Sequence, residues 1–281
     1  STPTSAQSGS MTTAGLSIAT WNVNSLRRRI ESIGWLSDEA GPDIICLQET
    51  KVTDDLFPGD ALSKHGYPFQ AHVGMKGYNG VAIISRLPLQ NIEVRSWCER
   101  EDARHIFAII DTGSYLGEIE VHSVYVPAGG DIPDPLVNPK FEHKLSFLSE
   151  LSHWWAARGA GTRQIMVGDF NIAPLESDVW SHERLKRTVT HTEIEIAHLA
   201  SLQKSAHWVD AIRLFHPADE PVYTWWSYRA ADWELVNKGR RLDHIWISDD
   251  LAEHADGITV FRETRDWTPP SDHVPVILSL K

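Results

Sequence analysis

Polar side chains end several apolar stretches of this 281-residue sequence, at spacings that suit chemistry. The clearest case is "IMVGDFNIAP", residues 165–174, whose aliphatic residues are typical of a buried strand that ends on Asp169 and Asn171. Side chains two residues apart on a strand lie on the same face, so we expect these two to point the same way. A single Asp or Asn at a strand end is usually turn chemistry and indicates little alone.

Four more stretches repeat this pattern. They are "TWNVN" with Asn22 and Asn24, "CLQET" with Glu49, "RLDH" with Asp243, and "SDHVPV" with Asp272 and His273. In the first of them, we expect Asn22 and Asn24 to share one strand face. Five polar strand ends, each beside an apolar strand, are hard to explain as turns alone.

The residue types at these strand ends match one kind of reaction. Carboxylates without clustered cysteines or histidines favour a hard cation such as Mg²⁺ over zinc. A phosphodiester is anionic, so its hydrolysis requires cations that absorb charge on the phosphate oxygens and a base that activates water. An Asp–His pair provides such a cation, because the carboxylate favours the protonated ring.

The elements that must position these groups are mostly strands. Strand patterns cover 16–24, 43–50, the "IMVGDFN" run, 222–227, 242–248 and 274–280, with several more between 80 and 127, whereas helices are predicted near 26–39 and 139–158. Hairpin-like neighbours mix with strand–helix–strand units. This favours an α/β fold of two mixed sheets packed face to face with helices outside, in one domain over 16–281.

Composition excludes several classes of protein. The formal net charge of −12 argues against a generally basic nucleic-acid binder but allows a local basic patch. No apolar run approaches the roughly 20 residues that cross a bilayer, so we expect no membrane partner. Residues 1–15 lack the features of a signal peptide and are predicted to be a disordered tail, in which Met11 after Gly-Ser indicates an added leader. We expect Cys46 and Cys98 to be buried reduced thiols, which favours a cytoplasmic protein.

Taken in order, the motifs resemble those of a known family. "TWNVNSLR", "LQETK", "GYNGVAIISR", "VYVP", "GDFNIAP", "YTWWSYR", "RLDHIWIS" and "SDHVPV" are similar to the motif series of the exonuclease III family of abasic-site endonucleases, within the endonuclease/exonuclease/phosphatase superfamily. "GDFN" and "SDH" mark only the superfamily, whereas "LQETK" and "WWSYR…RLDH" are more discriminating. The resemblance implies a four-layer α/β sandwich with its site at one edge of the two sheets, in a monomer.

The resemblance also implies roles for individual residues. The implied catalytic positions are Asp169, Asn171, His273, Asp243 and Tyr125, and the implied metal ligands are Glu49, Asp272 and Asn22. Glu49 would be the main carboxylate for Mg²⁺, with Mn²⁺ as a substitute. Asp169 would orient or deprotonate water, and Tyr125 would place its phenol at the phosphate. The sequence leaves open whether Asp169 or His273 is the base; we favour Asp169, because a histidine held by Asp243 is better suited to be a cation.

The substrate that the resemblance implies is double-stranded DNA with abasic sites or blocked 3′ ends. The implied DNA-binding positions are Arg27, Gly77, Tyr78, Trp225, Arg241 and Leu242. Arg27 opens the basic run "SLRRRI" and would contact the DNA backbone, and Arg241 lies in the basic stretch "NKGRRLDH". Gly77 and Tyr78 would reach the minor groove.

A pocket for the abasic sugar is implied at "TWW". Trp225 and Leu242 match the walls of a tight apolar pocket that admits a flipped abasic nucleotide and excludes normal ones. Simple sheet packing is the other interpretation, especially for Trp226. Two departures from the family matter: Ala128 stands where many relatives carry an amide, before a Pro/Gly/Asp-rich loop over 128–139, and Trp225 is bulkier than the common phenylalanine.

The main hypothesis is therefore a Mg²⁺-dependent DNA repair phosphodiesterase that cuts 5′ to abasic sites, with 3′–5′ exonuclease and 3′-end-cleaning activity. One alternative is a superfamily phosphatase or lipid phosphodiesterase, which would keep "GDFN" and "SDH" without needing "WWSYR". The other is a binding module whose site has decayed, although none of the six central carboxylate, amide and histidine positions is replaced.

Overall fold

The computed structural model describes residues 15–281, so the tail predicted over 1–15 lies, apart from Gly15, outside the described residues. The strands in chain order are β1 Leu16–Asn22, β2 Ile44–Gln48, β3 Phe69–Val73, β4 Val81–Ser85, β5 Leu89–Trp97, β6 Arg100–Asp111, β7 Glu118–Tyr125, β8 Gln164–Asp169, β9 Val209–Asp210, β10 Trp225–Trp226, β11 Gly239–Arg240, β12 Asp243–Ile247, β13 Ala255–Val260 and β14 Val276–Leu280.

The α-helices of the same residues vary from single turns to twenty residues. They are α1 Ile30–Glu39, α2 Gly59–Lys64, α3 Pro139–Arg158, α4 His182–Leu185, α5 Glu193–Ser205, α6 Ala211–Phe215, α7 Trp233–Val236 and α8 Asp249–Ala252. The predicted helix over 139–158 is confirmed as α3. It begins there because the Asn138 side chain accepts a hydrogen bond from the Lys140 amide and Pro139 occupies the first helical position.

Two six-stranded sheets contain most of the strands. Their orders are β13-β14-β1-β2-β4-β3 and β5-β6-β7-β8-β12-β9, and β10 and β11 form a small separate pair. The parallel neighbours are β1 with β2 and β7 with β8, whereas the other neighbours are antiparallel. The prediction of two mixed sheets is confirmed.

The sheets pack face to face because their central strands are apolar on both faces. In β1, Ile18 lies in the core between the sheets, whereas Ala19 and Trp21 lie in a second core on the outer face. Helices α1 and α2 cover that outer face, and α3 and α5 cover the outer face of the other sheet around Trp155 and Met166. Burial of each large side chain contributes roughly 1.5–3 kcal/mol, and the result is the four-layer α/β sandwich that the resemblance implied.

Four elements differ from the sequence prediction. The strand predicted over 222–227 is limited to β10, which pairs only with the two-residue β11; before it, the Val222 amide bonds to the Ser177 carbonyl in a loop. Strands β3 and β13 were not predicted, nor was helix α5. The start of α5 does carry a signal, since Thr192 and Glu195 form a capping box.

The two cysteines are both free. Cys46 is buried in β2 as expected, but the expectation is wrong for Cys98, which lies partly exposed at the turn after β5. Within residues 15–281, no helix has both the length and the apolar composition to span a bilayer.

Candidate active site

The polar strand ends meet at one edge of the sandwich. Because β7 and β8 are parallel, Tyr125 pairs with Asp169 at their shared end. Strand β12 runs antiparallel to β8 and begins opposite Asp169 with Asp243. In the other sheet, Asn22 ends β1 opposite the last residue of β2, and Glu49 follows β2 directly.

Asp169 is held from two sides. Its Oδ1 accepts a hydrogen bond from the Asn171 amide at 2.9 Å, and its Oδ2 accepts one from Asn22 Nδ2 at 2.9 Å. The same Oδ2 lies 3.5 Å from Nε2 of His273. A carboxylate that is 1 % exposed and fixed in this way has a defined orientation toward the edge of the sheets.

The charge environment of Asp169 makes it a proton acceptor near neutral pH. Burial and the nearby charges of Asp243 and Glu49 raise the pKa of Asp169, and the charge of His273 and the bond from Asn22 only partly oppose this. The resulting pKa is about 7. A base whose pKa lies near the working pH is the most effective at removing a proton from water.

His273 is paired with Asp243 beneath the site. His273 Nδ1 donates to Asp243 Oδ2 at 2.8 Å, and the same oxygen accepts from Thr224 Oγ1 at 2.6 Å. Burial favours the neutral ring, but the charges of Asp243 and Asp169 outweigh it and raise the pKa of His273 well above its ordinary value. The ring is therefore an imidazolium, which leaves its Nε2–H to face an anion.

Glu49 and Tyr125 form the other half of the site. The Tyr125 hydroxyl donates to Glu49 Oε1 at 2.5 Å, and Lys51 Nζ lies 3.4 Å from Oε2. Burial alone would raise the pKa of Glu49, but the Tyr125 bond and the charges of His273 and Lys51 lower it. Burial and the charges of Glu49 and Asp169 raise the pKa of Tyr125 far above 10, so the phenol stays a proton donor.

The backbone at these strand ends adopts uncommon conformations. Gly168 lets β8 approach β7 closely, because an added Cβ would lie 1.9 Å from the Val124 carbonyl oxygen. Asn171 and Glu49 both have a φ of +52°, in the left-handed region that a glutamate rarely adopts. The expectation that Asn171 and Asn24 continue their strands is thus wrong, since both lie in this left-handed region beyond the last strand residue. Such strain clusters at functional sites.

Several supporting residues were missed by sequence reasoning although they lie in or near the quoted motifs. Ser271 Oγ donates to the Asn22 carbonyl at 2.6 Å and thereby ties "SDH" to β1. Lys144 on α3 is fully buried, pairs with Glu195 and donates to the Asn171 carbonyl at 2.7 Å. This ion pair fixes the loop after β8, and no local pattern in the sequence signals it.

The implied metal ligands are only partly assembled. Asn22 lies beside the carboxylate of Glu49, whereas Asp272 Oδ2 accepts a hydrogen bond from Trp225 Nε1 at 3.0 Å. Within residues 15–281, a separate group of possible ligand atoms comes from Asp169, Asp243 and His273, all within 4.8 Å of one another. That group already holds one cation, the imidazolium, and a metal ion there would be repelled.

The implied pocket walls lie next to the catalytic histidine. Trp225 pairs through its backbone with His273 and is half-buried, whereas Trp226 is fully buried and is core. Leu242 is 4 % exposed and packs with Trp225 and Trp180 in one apolar cluster. Of these two implied walls, Trp225 is the one that remains partly accessible to a ligand.

The implied DNA-contacting residues separate into exposed and buried groups. Arg27 is exposed on a short 3₁₀ turn before α1, and Gly77 and Tyr78 form an exposed loop in which Tyr78 is 72 % accessible. Arg29, two positions after Arg27, is buried and donates to the Tyr228 hydroxyl and the Pro270 carbonyl.

The prediction that Arg241 contacts DNA is wrong. Its side chain is fully buried and makes bidentate contacts with both Asp178 and Asp210, at 2.7–3.1 Å. Arg213 closes the network on Asp178. The local sequence shows that the segment is basic but not what it contacts. The two carboxylates that pair with Arg241 in the interior lie 63 and 31 positions away along the chain.

Known proteins share this architecture and part of this sequence. Residues 19–273 match the Endonuclease/Exonuclease/phosphatase family. The exodeoxyribonuclease III of Haemophilus influenzae is 27% identical over 271 residues, covering 93% of this chain and 98% of that protein. Among solved structures, the 3′ phosphatase NExo from Neisseria, bound to a product DNA hairpin, is 31% identical with a TM-score of 0.84, covering 95% of this chain and 99% of the other. An AP endonuclease from Archaeoglobus fulgidus is 33% identical with a TM-score of 0.85, at the same coverages.

These similarities extend over nearly the whole chain and agree with the converging carboxylates, histidine and tyrosine at the sheet edge. They confirm the resemblance drawn from the motif order. The chain thus belongs to the Endonuclease/Exonuclease/phosphatase family, in which it is an exonuclease III-like nuclease.

Proposed function

We propose that this protein is a divalent-metal-dependent DNA repair phosphodiesterase that cuts duplex DNA on the 5′ side of abasic sites. The observation that carries the proposal is the arrangement around Asp169: a buried carboxylate with a pKa near 7 lies 3.5 Å from an imidazolium, at the rim where Glu49 and Tyr125 also end. Asp169 accepts a proton, the imidazolium and the phenol face an anion, and Glu49 can hold a cation, which is what attack of water on a phosphodiester requires.

The oxygen donors beside Asp169 fit Mg²⁺, with Mn²⁺ as a substitute. Glu49 is ionised, and only one of its two oxygens is taken by the Tyr125 hydroxyl. The nearby oxygen that could join it is that of the Asn22 amide, which in this structure accepts from the Asn24 backbone amide, and carboxylate and amide oxygens are what a hard cation prefers. Glu49 would hold the ion with Asn22, and Asp272 would join after releasing the Trp225 indole. When bound, the ion supplies positive charge at the phosphate and lowers the pKa of a nearby water.

The chain's own residues then divide the remaining work. Asp169, fixed by Asn22 and the Asn171 amide, accepts the proton of the attacking water. His273 donates from Nε2 to a non-bridging phosphate oxygen, and Asp243 holds its ring in that orientation through Nδ1. The phenol of Tyr125 offers its proton to the same phosphate once its bond to Glu49 is relaxed. Removal of one such electrostatic donor typically slows a reaction about 10²–10³-fold.

We further propose that 3′-end cleaning accompanies incision. The Neisseria relative is a 3′ phosphatase and the Archaeoglobus relative an AP endonuclease, so both reactions occur on this fold at similar identity. Displacement at phosphorus by water serves both, because incision and removal of a terminal 3′ phosphate both break a P–O3′ bond and both present non-bridging oxygens to His273.

A labelled duplex with one tetrahydrofuran abasic analogue tests this proposal. We expect Mg²⁺-dependent incision directly 5′ to the analogue, loss of the product with EDTA, and at least a 10²-fold slower reaction for Asp169→Asn and Glu49→Gln. Asp256→Asn is the matched control, because the one ion pair that Asp256 forms among residues 15–281 is with Lys281, directly after β14. Hydrolysis of an inositol phosphate or a sphingolipid, without incision, would instead support the lipid phosphodiesterase alternative.

A further inference from the structure

Arg240 is a cation beside the pocket to which the fold gives no carboxylate. Its guanidinium carbon lies 5.2 Å from the centre of the Trp225 ring, at the distance of a cation–π contact. Nη1 donates to Thr190 Oγ1 at 2.9 Å and more weakly to the Val189 carbonyl at 3.4 Å. Nε is buried without a partner, and among residues 15–281 no carboxylate lies within ion-pair distance of this side chain.

The next residue, Arg241, does have carboxylate partners, so the lack of one is particular to Arg240. Arg241 is saturated by Asp178 and Asp210, so the fold does supply carboxylates in this region and directs them away from Arg240. Burying a cation without an anion in contact is unfavourable, and burial lowers the pKa of Arg240, which the charge of Glu195 only partly opposes. An anion from outside the chain would compensate for this burial, and a phosphate matches the guanidinium geometry.

The position of Arg240 indicates which phosphate this is. Trp225 links it to the catalytic groups, since the Trp225 ring contacts Arg240, its backbone pairs with His273 and its indole donates to Asp272. A nucleotide whose 5′ phosphate is at His273 and whose sugar is against Trp225 has one further phosphate, on its 3′ side. Arg240 is the cation in contact with that ring.

We propose that Arg240 binds the phosphate on the 3′ side of the nucleotide held at Trp225. This inference rests on the function proposed above and concerns its substrate preference. An internal abasic nucleotide carries a phosphate on both sides, whereas a 3′-terminal nucleotide carries only the scissile one. Arg240 thus favours incision within a strand over removal of terminal nucleotides.

Two substrates measured with Arg240→Gln test the preference. One is a duplex with an internal abasic analogue, and the other is the same duplex ending 3′ at an ordinary nucleotide. We expect kcat/KM to fall roughly tenfold to a hundredfold on the internal analogue and to change less than threefold on the terminal nucleotide, because one charge-assisted contact is lost only in the first. Arg86→Gln is the control, since Arg86 is exposed and contacts Ser37 and Gly41 instead.

A neutral phosphate analogue tests the same contact from the DNA side without relying on a folded variant. A methylphosphonate placed 3′ to the abasic analogue removes that charge, and we expect it to slow wild-type incision roughly tenfold or more. The same replacement one phosphate further along should have less effect. In Arg240→Gln, the adjacent methylphosphonate should cause no additional loss.

The outcomes separate the two proposals. If the wild type fails to incise the abasic duplex, the proposed function is wrong. If the wild type incises it but Arg240→Gln slows both reactions equally, Arg240 does not bind this phosphate. The same conclusion follows if the methylphosphonate slows Arg240→Gln by the same factor as it slows the wild type. A thermal unfolding midpoint within a few degrees of the wild type shows that the variant is folded.

Discussion

The molecule has two groups of buried charges, one around Arg241 and one around His273, and only the first of them is balanced. Arg241 and Arg213 meet Asp178 and Asp210, so positive and negative groups match and hydrogen bonds fill the network. Around His273, one imidazolium faces Asp243, Asp169 and Glu49, and Asp243 Oδ1 is buried without a partner. The balanced cluster is closed, whereas the other one has negative charge in excess at the edge of the sheets.

This difference distinguishes a structural charge network from a catalytic one. A network in which every charge has a partner stabilises the fold by leaving no buried charge unpaired, and it has no free group with which to bind a ligand. An unbalanced network is unfavourable in the free protein, and a metal ion, a proton or a substrate relieves the imbalance. The raised pKa of Asp169 is a direct sign of that imbalance, because burial and its carboxylate neighbours both oppose its ionisation.

The largest effect on activity is expected from Asp169→Asn. The amide keeps the shape but cannot accept the water proton, so incision should slow about 10³-fold. The free energy of unfolding should stay the same or rise, because a buried carboxylate is removed from the unbalanced cluster. Single-turnover rates and urea unfolding measure the two quantities. A variant with normal incision, or one that is strongly destabilised, would contradict the comparison.

The largest effect on stability is expected from Arg241→Met. Removing this side chain leaves the buried Asp178 with Arg213 alone and takes the ion pair from Asp210, which should cost about 3 kcal/mol in the free energy of unfolding. The KM for DNA should change little in the folded fraction. Urea unfolding is the measurement, with Arg163→Met, which loses only a half-exposed contact to Asp250, as the control. A stable variant with a weaker salt dependence of DNA binding would restore the original DNA-contact prediction.

His244 gives a smaller effect that depends on pH. Burial and the charge of Arg241 lower its pKa from 6.5 to about 4. The unfolded chain therefore binds this proton first, and stability should fall between about pH 6.5 and pH 4. His273 has the opposite sign: its raised pKa contributes stability that is full below pH 6.5 and is lost as the pH rises through its folded value.

The variant His244→Gln isolates the first of these contributions. Its amide can still donate to the Ile172 carbonyl but does not titrate, so the loss of stability between pH 6.5 and pH 4 should shrink by about 3 kcal/mol. Urea unfolding at several pH values provides the curve. An acid limb identical to that of the wild type would show that His244 is not the group responsible.

The smallest effect is expected at Arg27, which is exposed and belongs to neither cluster. Arg27→Gln should reduce the slope of log affinity against log salt by about 1 while leaving kcat unchanged. Fluorescence anisotropy across a salt series measures the slope. The same slope as the wild type would remove Arg27 from the DNA interface.

Short-range patterns explain what could be predicted from the sequence. Apolar strands with Asn22, Glu49 and Asp169 at their ends predicted both sheets and the edge at which the site lies. The prediction works because neighbouring parallel strands end at the same edge of a sheet. The left-handed turn at Asn171 broke the assumption that a strand continues at period two.

Long-range pairing explains what could not. Two adjacent arginines look alike in "GRRLDH", and only the carboxylates of Asp178 and Asp210 decide that Arg241 is interior while Arg240 faces the pocket. The buried Lys144–Glu195 pair under the Asn171 loop is equally invisible, since its partners are 51 positions apart.

Calorimetric titration of Mg²⁺ into the protein tests the central claim most directly, namely that the edge around Glu49 and Asp169 is an open negative cluster. We predict one Mg²⁺ site in the wild type and in Asp256→Asn, and a loss of at least tenfold in affinity for Glu49→Gln, whose amide removes the main carboxylate donor. Equal Mg²⁺ binding by the wild type and Glu49→Gln would contradict the account, as would a wild type that binds no Mg²⁺ in the presence of abasic DNA.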